Sequence, residues 1–249
     1  MSLPRATKRY VAKQDPINEL VSARLQEIAV KHPRFGAPRL HVLLRREGLK
    51  INHKRSERIY RILGLSLRRK RSKKRLRSET RGILPPPTRR NQYWAMDFVS
   101  DQLVSGGRFR SLTLVDVLTK ESPDIEVARS LPRLRVVNVL NRLAFIHGKP
   151  EVIILDNGPE MISKVLDQWA YENNVKLHFI DPGKPTQNGF IESFNGKFRD
   201  ECLNAHWFYN IEDARKKIAV WRHEYNNERP HSSIGDLTPA EYAASLQSA

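Results

Sequence analysis

The sequence predicts an α/β protein: a mixed sheet with helices on its faces, preceded by a small all-α region. Three observations predict it. Apolar residues recur at helical spacing through the first 63 residues. From residue 93, three strand-like runs follow in series, after which helix and strand patterns alternate, the order of a mixed sheet covered by helices. The charge also changes near position 92: residues 1–92 carry 26 Lys/Arg against 6 Asp/Glu, whereas residues 93–249 carry 18 against 21, which together make the net +17. A chain of 249 residues can bury a core as one large domain or two smaller ones.

In residues 16–31, Ile17, Leu20, Val21, Leu25, Ile28 and Ala29 fall at helical spacing. Phe35-Gly36 interrupts, Pro38 suits a helical first turn, and an apolar segment ends at Gly48. The stretch HKRSERIYRILGL then aligns Ile59, Ile62 and Leu63 among Arg55, Arg58 and Arg61. Two short helices around a turn at Gly48, the second basic, suggest a helix-turn-helix over residues 1–66 whose second helix enters a DNA major groove. A helical hairpin with solvated arginines fits the same pattern. Residues 67–92, with LRRKRSKKRLR and Pro85-Pro86-Pro87, read as a basic, semi-rigid linker.

The core is expected over 93–230. Strands are predicted at Tyr93–Ser100, Phe109–Val117 and Pro123–Val127, with Gly106-Gly107 turning the first pair. A helix from Leu134 to Ile146, a strand Val152–Leu155, a helix Ser163–Glu172 and a strand Val175–Ile180 follow. The next helix sets Phe190, Phe194, Phe198 and Cys202 on one stripe and Glu192, Asn195 and Arg199 on the other side. A final helix, Ile211–Asn226, turns Ile218, Trp221 and Tyr225 inward, and residues 231–249, rich in Pro and Ser, read as a tail.

An excess of basic charge in the first third fits a polyanion, with nucleic acid the first choice, because each neutralised phosphate releases condensed counterions. A single cysteine, Cys202, allows no internal disulfide and no Cys-based zinc cluster. No stretch has the length of a membrane span or of a signal-peptide core, so a cytoplasmic protein is expected, associated with the nucleoid when bound to DNA. No G-x-x-x-x-G-K-[ST] loop is present, so ATP is not expected.

Three carboxylates carry the chemistry. Strand alternation puts Asp97 in an apolar row with Tyr93, Ala95 and Val99; a buried, unpaired carboxylate costs several kcal/mol, so it should meet a cation, donors or metal. Asp156 ends an apolar strand, where ligand sites in such sheets gather, although Asp-Asn-Gly by itself is turn chemistry. Glu192 lies on a polar helix face, and if the three converge, their repulsion demands a counter-ion. Magnesium or manganese prefers oxygen donors and leaves positions open for water or phosphate, and two such ions about 4 Å apart can serve both ends of an in-line phosphoryl displacement. Asp101, Asp116 and Asp124 are rivals for the site.

The spacing of Asp97, Asp156 and Glu192 resembles the DDE triad of transposases and retroviral integrases. The text around it, WAMDFVSD, DNGPE, FIDPGKPTQNGFIESFNGKFRDECLN, WRHEYNNERPHSSIG and LTPAEY, is similar to the second-frame protein of two-frame bacterial insertion sequences, and RFGAPRLHVLLRREGLKINHKRSERIYRILGL to that family's N-terminal segment. The resemblance implies an RNase H-like fold and a triad that is both catalytic and metal-binding, holding two Mg2+ or Mn2+ ions. It also implies cleavage at the element's ends and transfer of the 3′-hydroxyl into target DNA. Arg199, Asn157, Lys184 and Asn188 match the family text as DNA contacts, beside Arg55, Arg58 and Arg61 from the N-terminal reading. The implied partners are the element ends and target DNA, further copies of the chain on that DNA, and an upstream-frame partner protein. This chain departs from the family text at Met161, Lys120 and Ser122, away from the triad. A hydrolytic nuclease of the same fold and a noncatalytic DNA-binding regulator remain the alternatives.

Overall fold

The computed structural model describes residues 15–67, 84–158, 161–180 and 188–246. The expected basic run 67–77 lies, from residue 68 onward, outside the described residues. The chain divides into two compact units, Met1–Lys73 and Lys74–Ala249.

The first unit holds α1 (Pro16–Lys31), α2 (Ala37–Arg46) and α3 (His53–Ile62). Each begins where its sequence supplies a start signal: the Asp15 carboxylate accepts from the Ile17 N–H, Pro38 lies in the first turn of α2, and the Asn52 side chain accepts from the Lys54 N–H. Gly48 takes φ +88° in the turn between α2 and α3. Val21, Leu25, Ile28, Leu40, Leu44 and Ile59 form the core. Ile17, Leu20 and Ile62 are exposed, against the expected inward faces, and Tyr60 is buried instead. Ile17 and Ile62 stand at helix ends, where the three-helix core is no longer there to cover them.

In the second unit, β1 (Tyr93–Gln102), β2 (Arg108–Asp116) and β3 (Ile125–Ala128) form an antiparallel series. They are followed by α4 (Arg133–His147), β4 (Val152–Leu155), α5 (Lys164–Glu172), β5 (Lys176–Phe179), α6 (Gly189–Glu201) and α7 (Ile211–Asn227). The sheet order is β3-β2-β1-β4-β5, with β4 parallel to both neighbours. This is the mixed sheet expected. Alternation along β1 sends Trp94 and Met96 to a core with α4 and α5, and Tyr93, Ala95 and Val99 to a second core with α6 and α7. Each large apolar side chain fully buried in these layers contributes about 1.5–3 kcal/mol.

Two boundaries differ from expectation. Residues 84–92, expected as linker, belong to the core: Leu84 packs on the α6/α7 side, the Asn91 N–H donates to Asp116 at 2.7 Å, and Arg90 pairs with Glu121 at 2.9 Å. Charge marks the surface of a segment, whereas these contacts are made by an apolar side chain, a backbone N–H and a paired arginine. Residues 231–249, expected as a tail, are folded as far as Leu246, with α8 (Pro239–Ser245) packed beside α7. Thr238 and Glu241 make a reciprocal capping box with Pro239 in the first turn, a start signal that the Pro and Ser content obscured.

Candidate active site

β1 and β4 run parallel with Ala95 opposite Ile154, so Asp97 and Asp156 each stand two residues further along neighbouring strands. Ala95 and Ile154 both belong to the α6/α7 core, and by alternation Asp97 shares that face. α6 lies on the same face with Ile191, Phe194, Phe198 and Cys202 buried, which leaves Glu192 exposed in its first turn. The expected stripe therefore shifts by one residue at its start: Ile191 is buried, while Phe190 is exposed and lies beneath the Lys120 ammonium at 4.2 Å.

Asp97 is half-buried, and its carboxyl is pushed above the usual aspartate range, chiefly by desolvation and further by the charges of Asp156 and Glu192. Two donors oppose this: the Phe98 N–H at 2.7 Å and the Asn195 Nδ2 at 2.7 Å. Asn195 is one turn after Glu192; Thr113, opposite Asp97 on β2, shares its single hydroxyl proton between the Asn195 Oδ1 at 2.9 Å and the Asp97 carbonyl at 3.0 Å. This chain of bonds fastens the Glu192-bearing helix to the strand that carries Asp97. The sequence places Asn195 on the polar face of its helix without giving it a role and does not single out Thr113; the signal was an asparagine in mid-helix, a weak helix former that needs a tertiary reason.

The rival carboxylates are engaged elsewhere. Asp116 is buried and accepts from the N–H groups of Asn91, Leu118 and Thr119, and Asp124 pairs with Arg142. Asp101 accepts from its neighbour Gln102. Among the residues expected to touch DNA, Arg199 is exposed two helical turns after Glu192 and donates to the Ser100 carbonyl at 3.4 Å. Asn157 donates to the Ile180 carbonyl at 2.5 Å, tying the ends of β4 and β5 together. Asn188 is buried at the start of α6, its Oδ1 without a hydrogen-bond partner among the described residues. Arg55 is paired with Asp15 and Asn18, Arg61 with Glu57, and Arg58 is exposed; Lys184 lies outside the described residues.

The donor set of the three carboxylates is oxygen only, which suits a hard divalent cation, and Asp97, raised first by desolvation and then by its two acidic neighbours, is a carboxylate that such a cation would stabilise. Among the described residues no three His, Cys, Asp or Glu side chains are already drawn together tightly enough to hold one ion.

Family models agree with this architecture. Integrase core domain models match residues 87–185 and 173–239, and an HTH-like domain model matches residues 16–73. An uncharacterized 31.7 kDa protein of insertion element IS407 from Burkholderia multivorans is 49% identical over 98% of this chain and 88% of its own length. The putative transposase InsK of insertion sequence IS150 from Escherichia coli is 27% identical over 96% of this chain and 89% of its own. The chain belongs to the insertion-sequence transposases with an integrase core. A chain of the simian T-cell lymphotropic virus intasome, solved by cryo-electron microscopy with the PP2A regulatory subunit B56 gamma, superposes with a TM-score of 0.57. It is 15% identical over 88% of this chain and 74% of its own, and gives the transposase core its RNase H-like fold. Among the described residues no helix is long and apolar enough to cross a membrane.

Proposed function

We propose that this transposase cleaves DNA at the ends of its insertion sequence and joins the freed 3′-hydroxyl to target DNA, with Asp97, Asp156 and Glu192 as the catalytic carboxylates. One observation carries the reading: the β1–β4 register sets Asp97 beside the end of β4 where Asp156 stands, and the Asn195–Asp97 hydrogen bond brings the first half of α6, with Glu192, to the same place. Structural carboxylates are ordinarily paired with cations or capped by N–H groups, as Asp124 and Asp116 are here. Three carboxylates set against each other are costly to fold without a cationic ligand.

In cleavage, a water oxygen bonds to phosphorus and the bond to the 3′-oxygen breaks, leaving a 3′-hydroxyl. In joining, that hydroxyl's oxygen bonds to a target phosphorus, its proton departs, and a target 3′-oxygen leaves, so one phosphodiester replaces another and no ATP is required. Divalent magnesium or manganese, held by the three carboxylates, would supply charge for the attacking and leaving oxygens. The chain's own residues do the rest. Asn195 and Thr113 fix the spacing between Asp97 and the helix of Glu192. Arg199, on the exposed side of the same helix, is placed to hold a phosphate beside them. DNA is the partner, through this site and the basic first unit.

The test is incubation of purified protein with oligonucleotides bearing candidate element ends and magnesium, mapping cuts and joints at nucleotide resolution. Asp156→Asn is expected to abolish joining while DNA binding measured by mobility shift stays within about twofold. Undiminished joining by that variant would remove Asp156 from the mechanism, and cuts without any joints would mark a hydrolytic nuclease.

A further inference from the structure

The segment between α6 and α7 carries two aromatic rings that nothing in the catalytic reading uses. Of the four tryptophans, Trp94, Trp169 and Trp221 are buried, whereas Trp207 is 77% exposed; Tyr209, two residues on, is 66% exposed. The backbone beneath them is held on every side. Phe208 between them is buried, edge-on to Phe109 at 5.4 Å, and its carbonyl accepts the Val104 N–H at 2.8 Å. The Trp207 carbonyl accepts from Lys217 Nζ at 2.8 Å, and the Tyr209 N–H donates to the Asp213 carboxylate at 3.0 Å. In-out alternation of this kind is that of an extended chain, which sets positions 207 and 209 about 6.6 Å apart. That is about twice the ~3.4 Å step of a nucleic-acid strand. Two rings stand side by side in water on a pinned backbone, with the Lys217 ammonium 5.3 Å from the Tyr209 centroid, so the pair can offer ring faces together with positive charge to a partner.

Charge says what it contacts. The two acids in the first turn of α7 are paired, Asp213 with Lys217 at 2.8 Å and Glu212 with Arg215 at 2.5 Å, while Lys216 and Arg108 are exposed. The surface is also continuous with the candidate site. α6, which carries Glu192 and Arg199, leads directly into this segment, and the segment is bonded to the β1 end of the hairpin at Val104. β1 runs five extended residues from Asp97 to Gln102, about 17 Å, before the turn that carries Val104, so the distance is about five to seven steps of a DNA strand.

We propose that Trp207 and Tyr209 form a stacking platform for an unpaired stretch of DNA whose adjoining end lies at the three carboxylates. The proposal rests on the catalytic reading above. Aromatic side chains stack on any base whose face is free, and a closed duplex offers none, so the platform favours unpaired over paired DNA without reading sequence.

The test uses the full chain in EDTA, so that binding is read without chemistry, and a duplex carrying a seven-nucleotide single-stranded extension beside its blunt counterpart. Since the other three tryptophans are buried, emission changes report on Trp207. The extended duplex is expected to quench that emission and the blunt one is not. Trp207→Ala should lose the quench and bind the extended duplex about 10-fold more weakly, with blunt-duplex affinity unchanged. An unquenched Trp207 together with wild-type affinity in Trp207→Ala overturns the platform, as does an emission shift that follows protein concentration without DNA, which assigns the rings to a second copy of the chain. Joining with magnesium but no quench in EDTA refutes the platform alone; a quench in a protein that joins nothing refutes the catalytic reading alone.

Discussion

Asn195 illustrates how much a single side chain decides here. Its two ends are committed, one to Asp97 and the other to Thr113, so it transmits the position of the strands to the helix of Glu192. Asn195→Ala is expected to slow joining about 10- to 100-fold, as removal of residues that orient catalytic carboxylates does. It should cost only about 1–2 kcal/mol in denaturant unfolding. A rate loss matched by an equally severe loss of folded protein would reduce Asn195 to a packing role. Strand parity and helix face are local properties, so the sequence singles out three candidate carboxylates, but it does not show the Asn195 bridge, since its partners are 98 and 82 residues away. Arg55 gives the converse lesson. A basic residue in a helix-turn-helix pattern reads as a DNA contact, yet its guanidinium is held by Asp15 and Asn18 inside the unit. The hydrogen bond from Arg55 keeps the Asp15 carboxyl below its ordinary 3.8. Stability from a depressed carboxyl is complete above the unfolded value and disappears as pH falls through the folded one. Arg55→Gln should therefore lower the melting temperature at pH 7 and leave it nearly unchanged at pH 2; an equal loss at both would mean that the ion pair contributes nothing.

At the scale of elements, α6 is the piece that must not shift, because it joins Glu192 at one end to the C-terminal part of the fold at the other. Phe194 and Phe198 pack on Trp221 of α7 at 5.6 and 5.1 Å, and Glu201 in the last turn takes Arg229 in a two-pronged pair at 2.7 and 2.9 Å. Arg229 is 3% exposed and the Glu201 side chain 10%. Breaking such a buried pair from one side strands the other charge, so Arg229→Ala should destabilise the core by about 3–5 kcal/mol. Arg229→Met combined with Glu201→Leu should recover most of that loss. A double variant no better than the single one, in equilibrium unfolding, would show that the loss lies in packing with Tyr225 and His231 rather than in the stranded charge. The elements themselves were legible: hydrophobic period and turn residues placed every strand and helix from β1 to α7 to within a few residues, whereas α8 was read as tail. What periodicity missed was tertiary. Phe190 satisfies the helical stripe but finds Lys120 above it instead of a core, and the capping box of α8 is hidden in a Pro- and Ser-bearing stretch.

For the whole molecule, charge and packing draw different lines through the chain. The charge changes sign near residue 92, yet the compact units meet at Lys73 and Lys74, because the last residues before β1 are held by Asp116 and Glu121 of the core. Divided there, residues 1–73 carry 20 Lys/Arg against 5 Asp/Glu, and residues 74–249 carry 24 against 22, so the first unit holds nearly all of the net +17. Under the proposed function, chemistry and most of the affinity fall in separate parts of the chain: the three carboxylates stand in a nearly neutral unit, and most of the basic charge that would meet phosphate in the other. Affinity carried by phosphate contacts falls with salt at a slope of about −0.9 per phosphate in the log–log plot, so six to ten contacts lose roughly 10³- to 10⁵-fold between 50 and 200 mM salt. The full chain is expected to fall within that range on duplex DNA, measured by fluorescence anisotropy. Replacing four of the exposed basic residues of the first unit with glutamine, Lys50, Lys54, Arg58 and Arg61, should flatten the slope by two to four phosphate equivalents without altering the melting of the core. A slope unchanged by those four substitutions would place the phosphate contacts elsewhere, and with them the division of labour between the two units.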